Sequence, residues 1–342
     1  LKGKPPLILI LSQSALESTT EEVMDWLEAL GSRAVRLNGD DLEGRAALRL
    51  RVEEGETFLG VEAGGIELPL AEAGAVWFRR WLFERRHETV DLLAAPAADN
   101  HALHHQIRRH LSLESRRLGD FLFSSLEHLP WLSHPRRSSL DKLDVLRRAA
   151  RAGLATPATL VTTERAALRR FCAEHGTVIT KPIGEVDAFV EGEVSHFLFT
   201  TPLDLAAVDG LPERFAPSLF QERIGKAYEL RVFHLAGELH AMAIFSQNDP
   251  QTRADFRQYN RERPNRNVPY RLPAELAGRL RSLMDDLGLE TGSIDLLVTP
   301  EGREVFLEVN PVGQFGMVSH ACNYPLERKV AELLIRKESH GR

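Results

Sequence analysis

Asp295, Glu308 and Asn310 are three oxygen-bearing side chains set in two apolar runs, Ser293-Ile-Asp295 and Phe306-Leu-Glu-Val-Asn310-Pro. Glu308 and Asn310 stand two apart, so on a strand they share a face. Asp295, on a neighbouring strand, can join them. Hard oxygen ligands of this kind suit Mg²⁺, which keeps several waters and bridges nucleotide phosphates. Two lysines precede them. Lys142 opens a helix after Asp141, and Lys181 ends the run Val178-Ile-Thr-Lys181 before Pro182. Each can put a point charge on phosphate oxygens. Gln221, Glu222, Arg223 and Ile224 end another run, where their backbone groups could hydrogen-bond an adenine edge. Glu229 could accept from ribose hydroxyls. Arg231, two residues on and on the same strand face, is aimed at a phosphate in transfer. The chemistry these residues suggest is Mg²⁺-assisted phosphoryl transfer from ATP.

Elements of both kinds must position this set. Leu7-Ile-Leu-Ile-Leu11 has strand length, Thr19-Thr20-Glu21-Glu22 offers a helix start, and Ala34-Val-Arg-Leu37 is a second strand. That is a βαβ opening, and so an open α/β sheet. Val23, Trp26, Leu27 and Leu30 recur at helical spacing; Trp26, Leu27 and Leu30 are expected in the core. Residues 60–70 read as a β-hairpin and 75–78 as a strand ending in Arg79-Arg80. A charged helical stretch runs over 99–126, and Pro130 to Pro135 breaks it. Helices are expected over 139–152, 273–287 and 325–335, and strands at 178–181, 219–222, 229–234 and 241–245. The polar stretch 246–269 is too long for an idle connection. The expected division is an N-terminal α/β domain over 1–130, a small central subdomain over 136–222 and a C-terminal subdomain with the metal site over 223–338.

The ordered set from Lys142 to Asn310 resembles the ATP-grasp ligases. The resemblance implies an ATP-grasp fold over roughly residues 136–338, preceded by a pre-ATP-grasp domain. It implies Lys142 and Lys181 on ATP phosphates, residues 221–224 around adenine, Glu229 on ribose, Arg231 on the γ-phosphate, and one or two Mg²⁺ held by Asp295, Glu308 and Asn310. One departure stands out. Where such enzymes usually carry a glycine-rich flap, residues 184–192 hold two glycines and three acids. Cradling of phosphate by successive backbone N–H groups is therefore less expected there, and a peptidic contact more so.

Further residues narrow the resemblance. Ser12-Gln13, Ser18-Thr-Thr20, Arg36-Leu-Asn38, Trp77-Phe-Arg79-Arg80 and the stretch from Ile244-Phe-Ser-Gln247 through Asp255-Phe-Arg257 to Asn260 are similar to the maturases of ω-ester-containing peptides, the graspetides, of the grasp-with-spasm type. That family activates a side-chain carboxylate of a ribosomal precursor peptide with ATP, and a Ser, Thr or Lys side chain of the same peptide attacks it. The product is a macrocyclic ester or amide. The attacking hydroxyl must lose a proton, and Asp255 is the expected base. Arg257 is expected to bind a peptide carboxylate, with Arg79 and Arg80 as further substrate contacts. Two rival readings are a ligase of free amino acids or short peptides, and a non-catalytic nucleotide- or peptide-binding module.

Composition excludes other classes. The 342 residues carry 43 Lys and Arg against 49 Asp and Glu, a net charge of −6, so no global basic field points to nucleic acid. No apolar run near the start is long enough to span a membrane. Cys172 and Cys322 form no motif and read as thiols of a reducing compartment, so a cytoplasmic protein is expected. His101, His104, His105 and His110 tempt a metal reading, but a solvated helix face explains them with no added partner. Arg108, Arg109, Arg116 and Arg117 share that stretch and read first as charged surface, then as a docking face for an acidic leader peptide. A homodimer is expected from the ATP-grasp resemblance alone.

Overall fold

The computed structural model describes residues 7–14, 17–43, 46–54, 56–63, 66–68, 70–81, 101–184, 189–191, 194–196, 200–247, 249, 260 and 262–340. Asp255 and Arg257 lie outside these residues. The chain divides into two compact units, one of residues 1–138 with 325–342 and one of 139–324.

The first unit contains strands β1 (Leu7–Ser12), β2 (Arg33–Asn38), β3 (Ala46–Glu53), β4 (Glu56–Ala63), β5 (Ile66–Leu68), β6 (Ala73–Phe78) and β7 (Trp131–Leu132). The expected open sheet is present, parallel throughout, in the order β2-β1-β6-β7. β1 is buried along its whole length, as a central parallel strand covered on both faces must be. The expected hairpin is β4 and β5, and β3, unforeseen, pairs antiparallel along β4. The helix Ser18–Ala29 buries Thr19, Thr20, Val23 and Leu27. It ends at Gly31, whose φ of 77° suits glycine. Trp26 and Leu30, expected in the core, are 38% and 39% exposed. They lie off the inward stripe, and Trp26 instead takes the Arg328 guanidinium 5.4 Å above its ring.

The second unit holds two antiparallel sheets. One comprises β8 (Thr159–Glu164), β9 (Val178–Lys181), β12 (Thr201–Leu203) and β13 (Arg214–Glu222), in the order β12-β9-β13-β8. β10 (Phe189–Glu191), within the stretch 184–192 expected as the flap, forms a separate antiparallel hairpin with β11 (Val194–His196), which lies just beyond it. The other sheet comprises β14 (Tyr228–Leu235), β15 (Glu238–Phe245), β16 (Arg266–Tyr270), β17 (Thr291–Val298) and β18 (Glu304–Asn310), in the order β16-β15-β14-β17-β18. The first sheet packs on Leu168 and Cys172 of the helix Arg165–His175. The second carries the larger core: Leu230, Val232, Ile294, Leu296, Phe306 and Val309 meet Val145, Leu146 and Ala149 of the helix Lys142–Arg151 and Leu280, Leu283 and Met284 of the helix Ala274–Asp286.

Two groupings differ from the expected division. The helix carrying Lys142, assigned by sequence to a central subdomain over 136–222, packs in the core of the five-stranded sheet, because its apolar stripe faces Leu230 and Leu280. The last helix, Leu326–His340, assigned to the C-terminal subdomain, belongs to the first unit. Its buried Leu326, Val330, Ala331 and Leu334 lie against the helix Ser18–Ala29 and strands β1 and β6.

The β14–β15 turn is closed by a histidine. Ala236 and Gly237 take left-handed φ of 47° and 86°, and the Gly237 N–H donates to His234 Nε2 at 3.1 Å. Burial pushes the His234 pKa down to about 4. The unfolded chain therefore binds that proton first. Stability conferred by the neutral ring is present above pH 6.5 and is lost as pH falls from there toward 4. Urea denaturation at pH 7.5 and pH 5 will show a drop in midpoint for the wild type that shrinks in His234→Gln; equal drops would dismiss His234 as its source.

Candidate functional site

Three adjacent strands of the five-stranded sheet bring the predicted metal residues together. Arg231 of β14 is the register partner of Asp295 of β17, and Asp295 is the partner of Glu308 of β18. One row down, Ser293 faces Phe233 on one side and Asn310 on the other. Alternation turns this face away from the core that Leu230, Val232, Ile294 and Val309 build. A bulge completes the arrangement. The register of β17 with β18 shifts between Asp295 and Leu296, so Leu307 has no partner of its own. Phe306, which strict alternation would place beside Glu308, is thereby returned to the core with no exposure.

Arg231 Nη1 donates to Asp295 Oδ2 at 2.6 Å, with the two side chains 12% and 16% exposed. Arg231 Nη2 reaches the Gln314 carbonyl at 3.5 Å, and Arg231 Nε is buried with no hydrogen-bond partner among the described residues. Asn310 Oδ1 is also buried without a partner there. A buried amide oxygen left unpaired costs about 1–3 kcal/mol, so a ligand that pairs it is favoured there. With two carboxylates in register beside it, the donor set is all oxygen and fits Mg²⁺. These residues would hold the ion, which when bound neutralises charge building on phosphate oxygens.

Glu229 projects from the same face as Arg231, two residues earlier. It is 5% exposed and fixed on two sides. Ser246 Oγ lies 2.8 and 2.6 Å from its two oxygens, and Lys226 pairs with Oε1. Sequence reasoning missed Lys226; its position three residues before a buried glutamate was the available signal. A carboxylate offers about four acceptor sites, so Glu229 retains lone pairs for hydroxyl donors.

The adenine-edge segment is partly committed to its own sheet. The Glu222 N–H donates to the Ala158 carbonyl at 3.0 Å and the Arg223 N–H to the Thr177 carbonyl at 3.1 Å. The Ile224 N–H is left as the backbone donor of this segment. Gln221 is 1% exposed and its amide donates to Thr159 Oγ1 at 2.9 Å, so its side chain serves the sheet. Lys181 ends β9 opposite Leu219, and Lys142 is the first helical residue after Asp141, whose carboxylate caps the Leu143 and Asp144 N–H groups. In the first unit Arg79 is buried and Arg80 partly exposed, both at the carboxyl end of β6. Cys172 and Cys322 are buried free thiols whose pKa values burial raises, which leaves neither as a ready nucleophile.

A loop after β18 closes over the face. Phe315 stacks on Phe233 with ring centroids 4.6 Å apart, and the Gln314 carbonyl accepts from Ser293 Oγ at 3.3 Å as well as from Arg231. Gly313 permits this approach: a Cβ there would stand 2.6 Å from Ser293 Cβ and 2.7 Å from its Oγ. Gly313→Ala is therefore expected to destabilise by about 1–3 kcal/mol in chemical denaturation. Adding Ser293→Gly should recover part of that loss; strictly additive effects would refute the contact.

Residues 7–139 match the family model of the MvdD pre-ATP-grasp domain. No curated protein matches the chain. Among solved structures, the chain is similar to macrocyclase MdnC from Microcystis aeruginosa MRC, solved bound with precursor peptide MdnA, at 27% identity and TM-score 0.80 over 96% of this chain and 99% of that one. Macrocyclase MdnB of the same organism aligns at 26% identity and TM-score 0.76, again over 96% and 99%. A RiPP-associated ATP-grasp ligase of Chryseobacterium gregarium, in complex with ADP and a leader and core peptide, shares the fold at 24% identity, TM-score 0.82 and 97% coverage of both chains. Together these matches show an ATP-grasp fold preceded by a pre-ATP-grasp domain, and a likeness to ATP-grasp macrocyclases that is strongest in fold.

Proposed function

We propose that this protein is an ATP-dependent ligase that joins side chains within a ribosomal precursor peptide. The γ-phosphoryl group passes from ATP to an Asp or Glu carboxylate of the peptide, giving an acyl phosphate and ADP. A Ser or Thr hydroxyl, or a Lys amine, then attacks the acyl carbon and phosphate leaves. Each ring forms with net loss of one water. The observation that carries this reading is the face on which Arg231, Asp295 and Glu308 align beside the unpartnered amide oxygen of Asn310.

In this reading Arg231, Lys142 and Lys181 offset negative charge as the phosphoryl group moves. Asp295, Glu308 and Asn310 hold Mg²⁺. Residues 221–224 border adenine, with the Ile224 N–H as backbone donor, and Glu229, fixed by Lys226 and Ser246, accepts from ribose. Asp255 removes the proton of the attacking hydroxyl and Arg257 binds a peptide carboxylate. Both assignments come from the sequence. Arg79 and Arg80 are the proposed peptide contacts of the first unit. The reading includes a homodimer acting in the cytoplasm; two buried free thiols support a reducing compartment. Among the described residues no helix is long and apolar enough to cross a membrane.

Two experiments test this. Mass spectrometry of candidate precursor peptides incubated with the protein, ATP and Mg²⁺ should show loss of one water per ring, absent with the Glu308→Ala, Asn310→Ala double variant. No mass change and no ADP with any peptide or amino acid would end the ligase reading. Separately, Asn310→Ala deletes an unpaired buried oxygen, so the ligand-free stability should hold or rise, by no more than about 1 kcal/mol. The stabilisation that Mg²⁺ and ADP give the wild type should largely disappear. An unchanged Mg²⁺–ADP shift in this variant would remove Asn310 from the site.

A further inference from the structure

Glu17, Arg79 and Arg80 form a charge cluster at the carboxyl end of the first unit's parallel sheet. Glu17 follows β1, the two arginines follow β6, and these strands are neighbours. With β2 on the far side of β1, the strand order reverses between β1 and β6. In open parallel sheets that crevice is where ligands bind.

The three side chains are unequally buried. That of Glu17 has no exposure and that of Arg79 has 4%, whereas that of Arg80 has 32%. Glu17 divides its oxygens between the arginines: Oε2 lies 3.4 Å from Arg79 Nη2 and Oε1 lies 3.2 Å from Arg80 Nε. Thr20 Oγ1 donates to Oε2 at 3.0 Å and holds the carboxylate in place. Arg79 is further fixed by its backbone N–H on the Leu11 carbonyl at 2.9 Å, with its guanidinium 5.6 Å from the Trp77 ring. Arg80 meets Glu17 through Nε, at the base of the fork. Its terminal Nη1/Nη2 edge makes no hydrogen bond or ion pair with any described residue.

A guanidinium held in an ion pair on its Nε side and open at its terminal edge matches the two oxygens of a carboxylate. An arginine on an unrestrained stem would lose rotamer freedom on binding; one already held by Glu17 loses less. Resting on the peptide-ligase reading above, we propose that Arg80 grips an acidic side chain of the peptide substrate through its terminal edge, that Glu17 is the residue positioning it, and that Arg79 supplies buried counter-charge and makes no substrate contact. The proposal divides the Arg79-Arg80 pair by role.

The test measures binding without nucleotide, so it does not depend on turnover. The probe is the tightest-binding member of a panel of fluorescently labelled acidic peptides, together with versions in which each Asp or Glu is changed in turn to Asn or Gln. Arg80→Gln and Arg80→Lys should each weaken the acidic peptide about tenfold or more, since lysine keeps the charge but not the fork. One neutralised peptide should bind wild type and Arg80→Gln equally, identifying the carboxylate gripped. Glu17→Gln should weaken the acidic peptide but not that neutralised one, a split that loss of fold would not give. Inorganic phosphate at millimolar concentration should not displace the peptide; displacement from wild type but not from Arg80→Gln would make this a phosphate site and overturn the proposal. So would full affinity in Arg80→Lys, a constant penalty across all the peptides, or no acidic peptide bound by wild type. In ring formation, Arg80→Gln should raise KM for the peptide with kcat little changed. Ligation by wild type with no Arg80 penalty defeats this assignment alone, while absence of ligation by wild type defeats the ligase reading.

Discussion

One extra residue in the last strand, Leu307, decides which side chains of the five-stranded sheet leave its core. On one side of the shift Leu296 faces Phe306, and on the other Asp295 faces Glu308. Phe306 and Val309 can therefore both pack inward although they stand three apart, and Glu308 and Asn310 both turn to the open face. β18 is the edge of its sheet, and the Phe306 N–H is used outside the ladder. That group donates to the Ala155 carbonyl at 2.8 Å, tying down the chain that leaves the Lys142 helix. The strand that sets Glu308 and Asn310 on one face thus also anchors the segment that follows the Lys142 helix. Bulges next to sites commonly re-aim a side chain in this way.

The cost of the open face is borne by the closed one. Asn310 Oδ1 and Arg231 Nε are buried without partners among the described residues, and each is unfavourable in the absence of ligand. Against them stands the large apolar core formed with the two helices that carry Leu146 and Leu280. Buried methylenes there contribute about 0.8 kcal/mol each, so a few well-packed leucines offset the strain of the site. The loop through Gly313 and Phe315 adds order on the site side, because the Phe233–Phe315 stack pins a carbonyl against Arg231.

Residue type and spacing made the grouping of Asp295, Glu308 and Asn310 legible, since it needed only alternation and two neighbouring strands. The parallel opening sheet was legible for a similar reason: Leu7-Ile-Leu-Ile-Leu11 is too uniformly apolar for a half-exposed strand. What depends on a partner far along the chain was not legible. Periodicity places Trp26 and Leu30 on an apolar side, but it cannot know that Val23 and Leu27 will be fully buried while Trp26 and Leu30 stay more than a third exposed. It cannot show that the Lys142 helix packs under the five-stranded sheet, because its stripe fits any apolar surface. Nor does a Gly-Gln-Phe sequence reveal that Gly313 must pass within contact of Ser293. Arg79 and Arg80 look alike as letters, yet the alternation that ends β6 buries one and leaves the other partly exposed.

Arginine is used in related ways in the two units. Asp295 neutralises Arg231 through Nη1, and Glu17 holds Arg80 through Nε. A fully paired guanidinium would have no donor left for an anion, and an unpaired one would be too costly to keep out of water. Partial pairing meets both demands. The nearby carboxylate lowers the cost of burial, and in the proposed reading the remaining N–H groups serve an anionic ligand. A ligase of the proposed kind handles anions of two shapes, tetrahedral phosphate and planar carboxylate. The part of the guanidinium left without a partner among the described residues differs between the two: the inner Nε at Arg231, on the face with Asp295 and Glu308, and the terminal edge at Arg80, in the crevice of the parallel sheet.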